Sequence, residues 1–458
     1  MSTSNSPNVL GTENIGKLLI KFSVPAIVGM IVNALYNVVD RIFVGQGVGT
    51  LALSGITIAF PVMNIIMAFG MMVGVGATAL ISIRLGESRL DTAQKIFGNT
   101  ITLSIIISLL VTVFGIAFLD PILKLFGATG EVLVYARDYM FIILIGNIFG
   151  TTAFCLNNII RAEGNPKIAM ATMLIGALTN VILNPIFIFG LGLGIKGSAI
   201  ATIISQAISA IWVIYHFYTP KSILKVNRHN LKIELPIVRG IFAIGASPFA
   251  MQMAASGITV IINKQLIHYG SDISIAVMGV INSITMLILM PLFGINQGVQ
   301  PIIGYNYGAK QFKRVKKALN LAIIAATAIS IIGYLLVAIF PEPIIMLFAD
   351  KSNPAVLKDF LSQGSYGLRV YLCMLPIVGF QIVSSNYFQS VGKAKYSIFL
   401  SLSRQVIILL PLLFIVPSIF GLNGVFIAGP LSDFLSSLLT AVFIIIEIKK
   451  LNKLSLNE

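Results

Sequence analysis

Apolar stretches of about 20 residues or more recur from one end of the chain to the other. Each is long enough to cross a hydrocarbon core of about 30 Å. No stretch of the 458 residues is left over to build a water-soluble domain. Only 10% of the residues are charged and 57% are hydrophobic, against about 25% charged in soluble domains. Mean hydropathy is +0.95. Such a chain cannot cover a water-facing surface. The sequence predicts an all-α polytopic membrane protein with spans over 16–44, 52–82, 96–118, 133–159, 168–190 and 195–218. Six more follow over 239–268, 275–305, 318–340, 364–390, 397–418 and 423–447.

A net charge of +15 suggests nucleic acid in a soluble protein. Here the basic residues fall in the short connections between spans, where they set topology and meet anionic lipid. No nucleic-acid partner is expected. Arg84, Arg89 and Lys95 follow span 2, and Arg161 and Lys167 follow span 4. Lys221, Lys225, Arg228, Lys232 and Arg239 follow span 6. Lys310, Lys313, Arg314, Lys316 and Lys317 follow span 8, and Lys393 and Lys395 follow span 10. Lys449, Lys450 and Lys453 close the chain. The opposite connections hold few, chiefly Lys124, Lys196, Lys351 and Lys358. The positive-inside rule then places both termini in the cytoplasm, as twelve crossings require. The N-terminal stretch lacks the order of a cleavable signal peptide, so the first span is expected to be retained. Cys155 and Cys373 lie in apolar segments far apart, offering neither a disulfide framework nor a zinc pattern.

The two halves resemble each other at a nearly fixed spacing. Pro25 pairs with Pro248, and Gly55, Gly70 and Gly74 pair with Gly279, Gly294 and Gly298. Gly164 and Lys167 pair with Gly392 and Lys395, and Gly194 and Gly197 with Gly421 and Gly424. Six spans per copy give both copies one orientation. Two six-helix lobes, 1–218 and 239–458, are therefore expected, with a cytoplasmic linker over 219–238. They should be related by a pseudo-two-fold along the membrane normal, the plan of an alternating-access transporter.

Ionisable groups inside a membrane are costly and point to function. Asp40 lies within the first span. At 100° per residue, Asn33, Tyr36, Asn37 and Asp40 form one stripe, while Val28, Ile31, Leu35, Val38 and Val39 form the opposite face. A carboxylate on that stripe can carry a proton across or hold a sodium ion, coupling a gradient to a conformational change. The repeat aligns Asp40-Arg41 with Asn263-Lys264, so the titratable machinery is expected in the first half alone. Asn180 and Asn184 form a second polar ladder one turn apart, followed by Pro185, which frees a helix carbonyl. Their amide oxygens suit sodium or a protonated acid. The plainer reading of each is an interfacial acid paired with Arg41, and asparagine bonding between helices.

Asp433 and Arg404 fall within spans 12 and 11 and either pair with one another or line the cavity, structural pairing being the preferred expectation. Arg161 and Glu163 lie at a cytoplasmic helix end and are expected to act as a gate or a loop clamp. His216, His229 and His268 fall at or beyond helix ends and are expected to be interfacial. Phe60, Met67, Met71, Phe154, Met286, Met290 and Phe293 are candidates for an adaptable drug cavity, although such residues in membrane helices more often pack or meet lipid.

Pro25, Asp40 and Gly45, with RAEGNPKIAM (161–170), NVILNP (180–185), GIKGSAIAT (194–202) and the basic loop GYNYGAKQFKRVKKAL (304–319), resemble the multidrug and toxic compound extrusion (MATE) family, and within it the bacterial efflux pumps. The likeness spans nearly the whole chain. It implies a V-shaped pair of lobes in the bacterial cytoplasmic membrane that exports lipophilic cationic drugs and dyes by proton or sodium antiport, as a monomer. No cofactor is implied beyond the ion gradient. The family's first-lobe cation site falls on Asp40, Asn180, Asn184 and Thr202, with sodium as a candidate at Asp40, Asn180 and Asn184. Some members carry an acid where this chain has Asn184, leaving Asp40 the only acid of the group. The second-lobe acids of other branches are absent, which argues against sodium binding there. A lipid-linked saccharide flippase of the same architecture is the alternative, but it calls for a basic cavity. An intramembrane enzyme is disfavoured because HExxH, GxSxG and Walker A patterns are absent.

Overall fold

The computed structural model describes residues 8–348 and 354–456, almost all of them helical. Lys351 lies outside the described residues. The long helices are α1 (Ile15–Gly47), α2 (Thr50–Gly86), α3 (Leu90–Ala117), α4 (Gly130–Ala162), α5 (Pro166–Gly190) and α6 (Gly194–Tyr218). After the linker come α7 (Leu235–Tyr269), α8 (Asp272–Gly308) and α9 (Phe312–Ile339). The remainder are α10, in two arms Pro354–Tyr371 and Leu375–Ser390, then α11 (Ala394–Phe420) and α12 (Leu422–Ser455). Among the described residues, eleven helices are long and apolar enough to cross a membrane unaided, and the two arms of α10, bent by 45°, make a twelfth if they form one span.

The helices run past the apolar stretches that announce them. Lys95, Lys316 and Lys449, expected in connections, sit on the end turns of α3, α9 and α12. The expected span 10 over 364–390 is interrupted by a turn at 372–374 between the two arms. Pro376 stands in the first turn of the second arm, where it has no N–H to bond back to Leu372 and its ring crowds that carbonyl. That bend was legible in the sequence and overlooked.

Two of the glycine pairs of the repeat have a backbone reason. Gly164 and Gly392 both adopt positive φ (96° and 76°), as do Gly194 and Gly421 (56° and 58°). A side chain at these helix boundaries would meet its own backbone.

Three apolar clusters build the interior. One draws only on residues 44–199 and another only on 258–428. The third joins both halves, from Leu10, Leu18 and Phe22 to Val299, Tyr305 and Leu451. Leu10 and Leu451 bring the two ends of the described chain to one face of the molecule. There Arg314 donates to the carbonyls of Leu10 and Glu13, and Lys316 to Asn452.

Near this face the halves touch backbone to backbone. A Cβ on Gly86 would stand 1.9 Å from the Tyr305 carbonyl oxygen, and one on Gly308 would stand 2.1 Å from that of Ile83. Gly76 against Ile241 and Gly245 against Met72 are as close, at 2.2 and 1.8 Å. Gly294 and Gly298 lie on Ile27 and Ser23 of α1. Toward the other ends of these helices, Gly47 and Gly55 contact only their own half, and Gly257 and Gly279 face open space.

The linker is held down rather than loose. Glu163 is buried and accepts hydrogen bonds from the Ser222 hydroxyl and the Leu224 amide, each at 2.7 Å. Asn99 on α3 brackets it with bonds to Lys232 and Glu234. The expected clamp role of Glu163 fits this geometry. His216, expected to be interfacial, is instead buried, with Nε2 3.3 Å from Glu163, because α4 packs along α6 and brings its C-terminal end to the histidine. Arg161 is also buried and donates to the Asn158 amide oxygen at 2.5 Å.

Candidate functional site in the first half

The site assembles from α1, α5 and α6. Asp40 is only 8% exposed although it lies in a membrane-crossing helix. Its Oδ1 accepts from the Asn184 amide nitrogen at 2.7 Å and from the Ser198 hydroxyl at 2.8 Å. The Asn184 amide nitrogen also donates to Asn180 Oδ1 at 2.8 Å, and Asn180 donates to the Thr202 hydroxyl at 3.1 Å. Tyr139 of α4 is buried beside Thr202, within electrostatic reach of Asp40.

Each contributor has a local reason to be there. Asn180 and Asn184 are four apart on α5, and Ser198 and Thr202 four apart on α6, so each pair shares one helix face. After Pro185 the helix widens into a π turn over Ile186–Gly190. Such turns mark functional segments because they break the regular ladder. A carboxylate buried at this depth must be hydrogen-bonded or neutral. Here one oxygen is satisfied by two donors, while the amide oxygen of Asn184 is itself buried and has no partner.

The predicted site residues divide. Asp40, Asn180, Asn184 and Thr202 form one hydrogen-bonded chain. Asn33 and Asn37 bond to each other, through the Asn37 amide to the Asn33 carbonyl at 2.7 Å, and make no bond to Asp40. Tyr36 lies beside Asn37, within electrostatic reach of Asp40. Val28, Ile31, Leu35 and Val38 are exposed, as expected for the lipid side of α1. Ser198 and Tyr139 were not anticipated. The four-residue spacing of Ser198 to Thr202 was the available signal for the first. No group of three or more His, Cys, Asp or Glu side chains suited to a metal occurs among the described residues. The oxygens able to meet a cation are those of Asp40, Asn180, Asn184, Ser198 and Thr202.

Of the cavity candidates, Phe60, Met67 and Met286 are exposed, whereas Phe154, Met290 and Phe293 are partly buried. The Arg41 guanidinium lies 5.4 Å from the Phe60 ring centroid. None of these residues lines the polar pocket of the second half, where Arg404 donates to Asp433 at 2.7 Å. The expected pairing of those two is present.

A family model described as MatE matches twice, over residues 25–186 and 248–415. The chain belongs to the MatE family. The two matches begin at Pro25 and Pro248, the first pair of the internal repeat. The multidrug export protein MepA of Staphylococcus haemolyticus is 29% identical over 413 residues, 90% of this chain and 89% of that protein. MepA of Staphylococcus aureus is 28% identical over 89% of each. Among solved structures, the MATE multidrug transporter DinF-BH is 42% identical with a TM-score of 0.88, covering 95% of this chain and 96% of that one. An outward-facing conformation of a multidrug resistance MATE family transporter of the MOP superfamily is 25% identical with a TM-score of 0.91, over 99% and 100%. This MatE chain is therefore a multi-pass secondary transporter, not an enzyme, and works on ion gradients rather than on a bound cofactor.

Proposed function

We propose that the protein exports lipophilic organic cations from a bacterial cell by antiport against inflowing protons. Both termini lie in the cytoplasm, and one monomer is the working unit. Two lobes, 1–218 and 239–458, joined by the linker over 219–238, alternate access between the two faces. Relatives named as multidrug exporters support the substrate class. The basic residues on the side of the termini support the orientation.

The observation that carries the reading is Asp40, a lone acid buried among neutral donors. Ionised, it is held by Asn184 and Ser198. Protonated, it becomes a donor and needs an acceptor, and the partnerless Asn184 oxygen offers one after a turn of the amide. One proton thus exchanges the hydrogen-bond pattern between α1, α5 and α6. Sodium would need the same turned amide and further oxygens converging beside Asp40, whereas a proton needs only the one acid and one acceptor, and on that economy we favour the proton. The close glycine contacts on the side of the termini support a state closed toward the cytoplasm. Exposed Phe60, Met67 and Met286 then offer polarisable surface to an organic cation.

The test is ethidium efflux by the wild type and Asp40→Asn at matched expression, under an imposed proton gradient and then a sodium gradient. Export by the wild type under the proton gradient alone, lost in Asp40→Asn, is expected. Equal export by the variant would remove Asp40 from coupling, and export driven by sodium alone would replace the ion.

A further inference from the structure

We propose that the paired ends of α9 and α12 bind an anionic phospholipid whose headgroup carries two phosphates, in the leaflet on the side of the chain termini. The two helices meet there through Lys316, whose Nζ donates to Asn452 Oδ1 at 2.9 Å. Counted from that contact, Lys313 and Lys317 stand about 60° and about 100° around α9, and Lys449 and Lys453 stand about as far around α12. α9 begins and α12 ends on this side, so the helices run antiparallel, and these rotations carry the four lysines to one face of the pair. All four are exposed. The same face continues along the spans through Ile324 and Ile331 on α9 and Val442 and Ile446 on α12, exposed by 65%, 41%, 55% and 62%. An apolar wall with a cationic end offers one surface to acyl chains and one to a phosphate headgroup.

Topology alone does not explain the cluster. The positive-inside rule places basic residues on this side but does not gather four of them on one face of a helix pair. Several cations on this side have acid partners: Lys17 and Lys21 on Glu13, Arg84 and Arg89 on Glu87, Lys95 on Glu234, and Lys393 on Glu447. Lys313, Lys317, Lys449 and Lys453 make no ion pair among the described residues. The repeat does not call for them either. Ser88 and Lys310, both at φ 60°, mark the same turn in the two halves. At that spacing Lys313 falls on Asp91 and Lys317 on Lys95. At the spacing of Gly197 to Gly424, α6 stops at the level of Ile445, so Lys449 and Lys453 have no counterpart.

The charges select the ligand. Four ammonium groups on one face repel one another unless an anion lies among them. Residues four apart on a helix face stand about 5–6 Å apart at Cβ, so each helix offers one pair of ammonium groups to one phosphate. Two helices side by side then match a headgroup with two phosphates better than one with a single phosphate. A zwitterionic headgroup brings its own cation and loses the advantage. The apolar wall calls for acyl chains, which a soluble phosphate lacks. This site is independent of the transport reading, because binding needs no gradient and Asp40 lies in the other half.

The experiment is native mass spectrometry of the purified full chain in a neutral detergent, titrated with three lipids that share oleoyl chains. They are cardiolipin (two phosphates), phosphatidylglycerol (one phosphate) and phosphatidylcholine (zwitterion). We expect the first cardiolipin to bind about tenfold tighter than phosphatidylcholine and about threefold tighter than phosphatidylglycerol, since each lysine at the membrane surface strengthens an anionic lipid about fivefold. The variant Lys313→Gln/Lys317→Gln/Lys449→Gln/Lys453→Gln should lose about tenfold or more in cardiolipin affinity and bind the three lipids alike. The milder Lys313→Gln/Lys449→Gln should fall between it and the wild type. A control, Lys221→Gln/Lys225→Gln/Arg228→Gln/Lys232→Gln, removes as much charge from the linker and should keep the preference. Millimolar pyrophosphate should leave the cardiolipin bound. Equal binding of the three lipids by the wild type, unchanged cardiolipin affinity in either lysine variant, an equal loss in the linker control, or displacement by pyrophosphate would each overturn the proposal.

Discussion

The Asn184 amide nitrogen stands 2.7 Å from Asp40 Oδ1 while the oxygen of the same amide is buried and unpartnered. The amide is committed on one side only. A change in the acid therefore reaches α5 directly, and Asn180 and Thr202 beyond it.

Replacing Asn184 with leucine leaves Asp40 one donor and Asn180 Oδ1 none. Efflux driven by the gradient should fall at least tenfold, since hydrogen bonds to charged groups contribute about 1.5–3 kcal/mol each. Asn184→Asp should instead create an oxygen-rich pair able to hold a hard cation. Sodium should then raise the thermal midpoint of that variant by several degrees and leave the wild type unmoved. Melting curves in sodium and in choline chloride decide this.

Ser198 donates directly to Asp40, whereas Thr202 acts through Asn180. Ser198→Ala should therefore lower efflux more than Thr202→Val, by about three- to tenfold against less than threefold. Initial rates in proteoliposomes under one fixed gradient provide the comparison. Equal losses would mean that the chain acts as one unit.

Gly86→Ala places a Cβ 1.9 Å from a carbonyl oxygen across the contact between halves. Overpacking of this kind costs about 1–3 kcal/mol. The variant should melt earlier and transport poorly, while Gly257→Ala, with nothing within 4 Å, should behave as the wild type. Melting and efflux of the two proteins, side by side, test the contact.

Glu163→Gln keeps the shape but weakens its hold on Ser222, Leu224 and His216. The linker over 219–238 should be released. Limited proteolysis within it should quicken about tenfold, as expected for a loss of about 1.4 kcal/mol in a local opening equilibrium. Unchanged cleavage would show that the bonds from Asn99 to the linker suffice.

Much of this was legible in the chain. Apolar length located the spans, and glycines needing positive φ marked the repeat, because both are local requirements of backbone and solvent. Asp40, Asn180 and Asn184 were found because a polar side chain in an apolar span is costly unless a partner or a function holds it there. Ser198 and Tyr139 escaped because a serine or tyrosine passes for ordinary helix packing until rotation and crossing of the helices are known. Asn33 and Asn37 read as part of the acid's stripe, yet the Asn37 amide nitrogen donates back to Asn33 within α1 rather than to Asp40. His216 looked like an end-of-helix residue, and only the packing of α4 on α6 brings Glu163 to it. The π turns under Asn184 and at Arg404 have no simple sequence signature beyond Pro185.

The glycine contacts between halves also bear on how the halves part. Helices locked by interdigitated side chains must shift many rotamers before they separate. At Gly76, Gly86, Gly245 and Gly308 backbone lies on backbone, so at these four points no side chain has to disengage. The side chains of the cluster that joins the halves then slide apart around four flush points rather than unlocking along the whole seam.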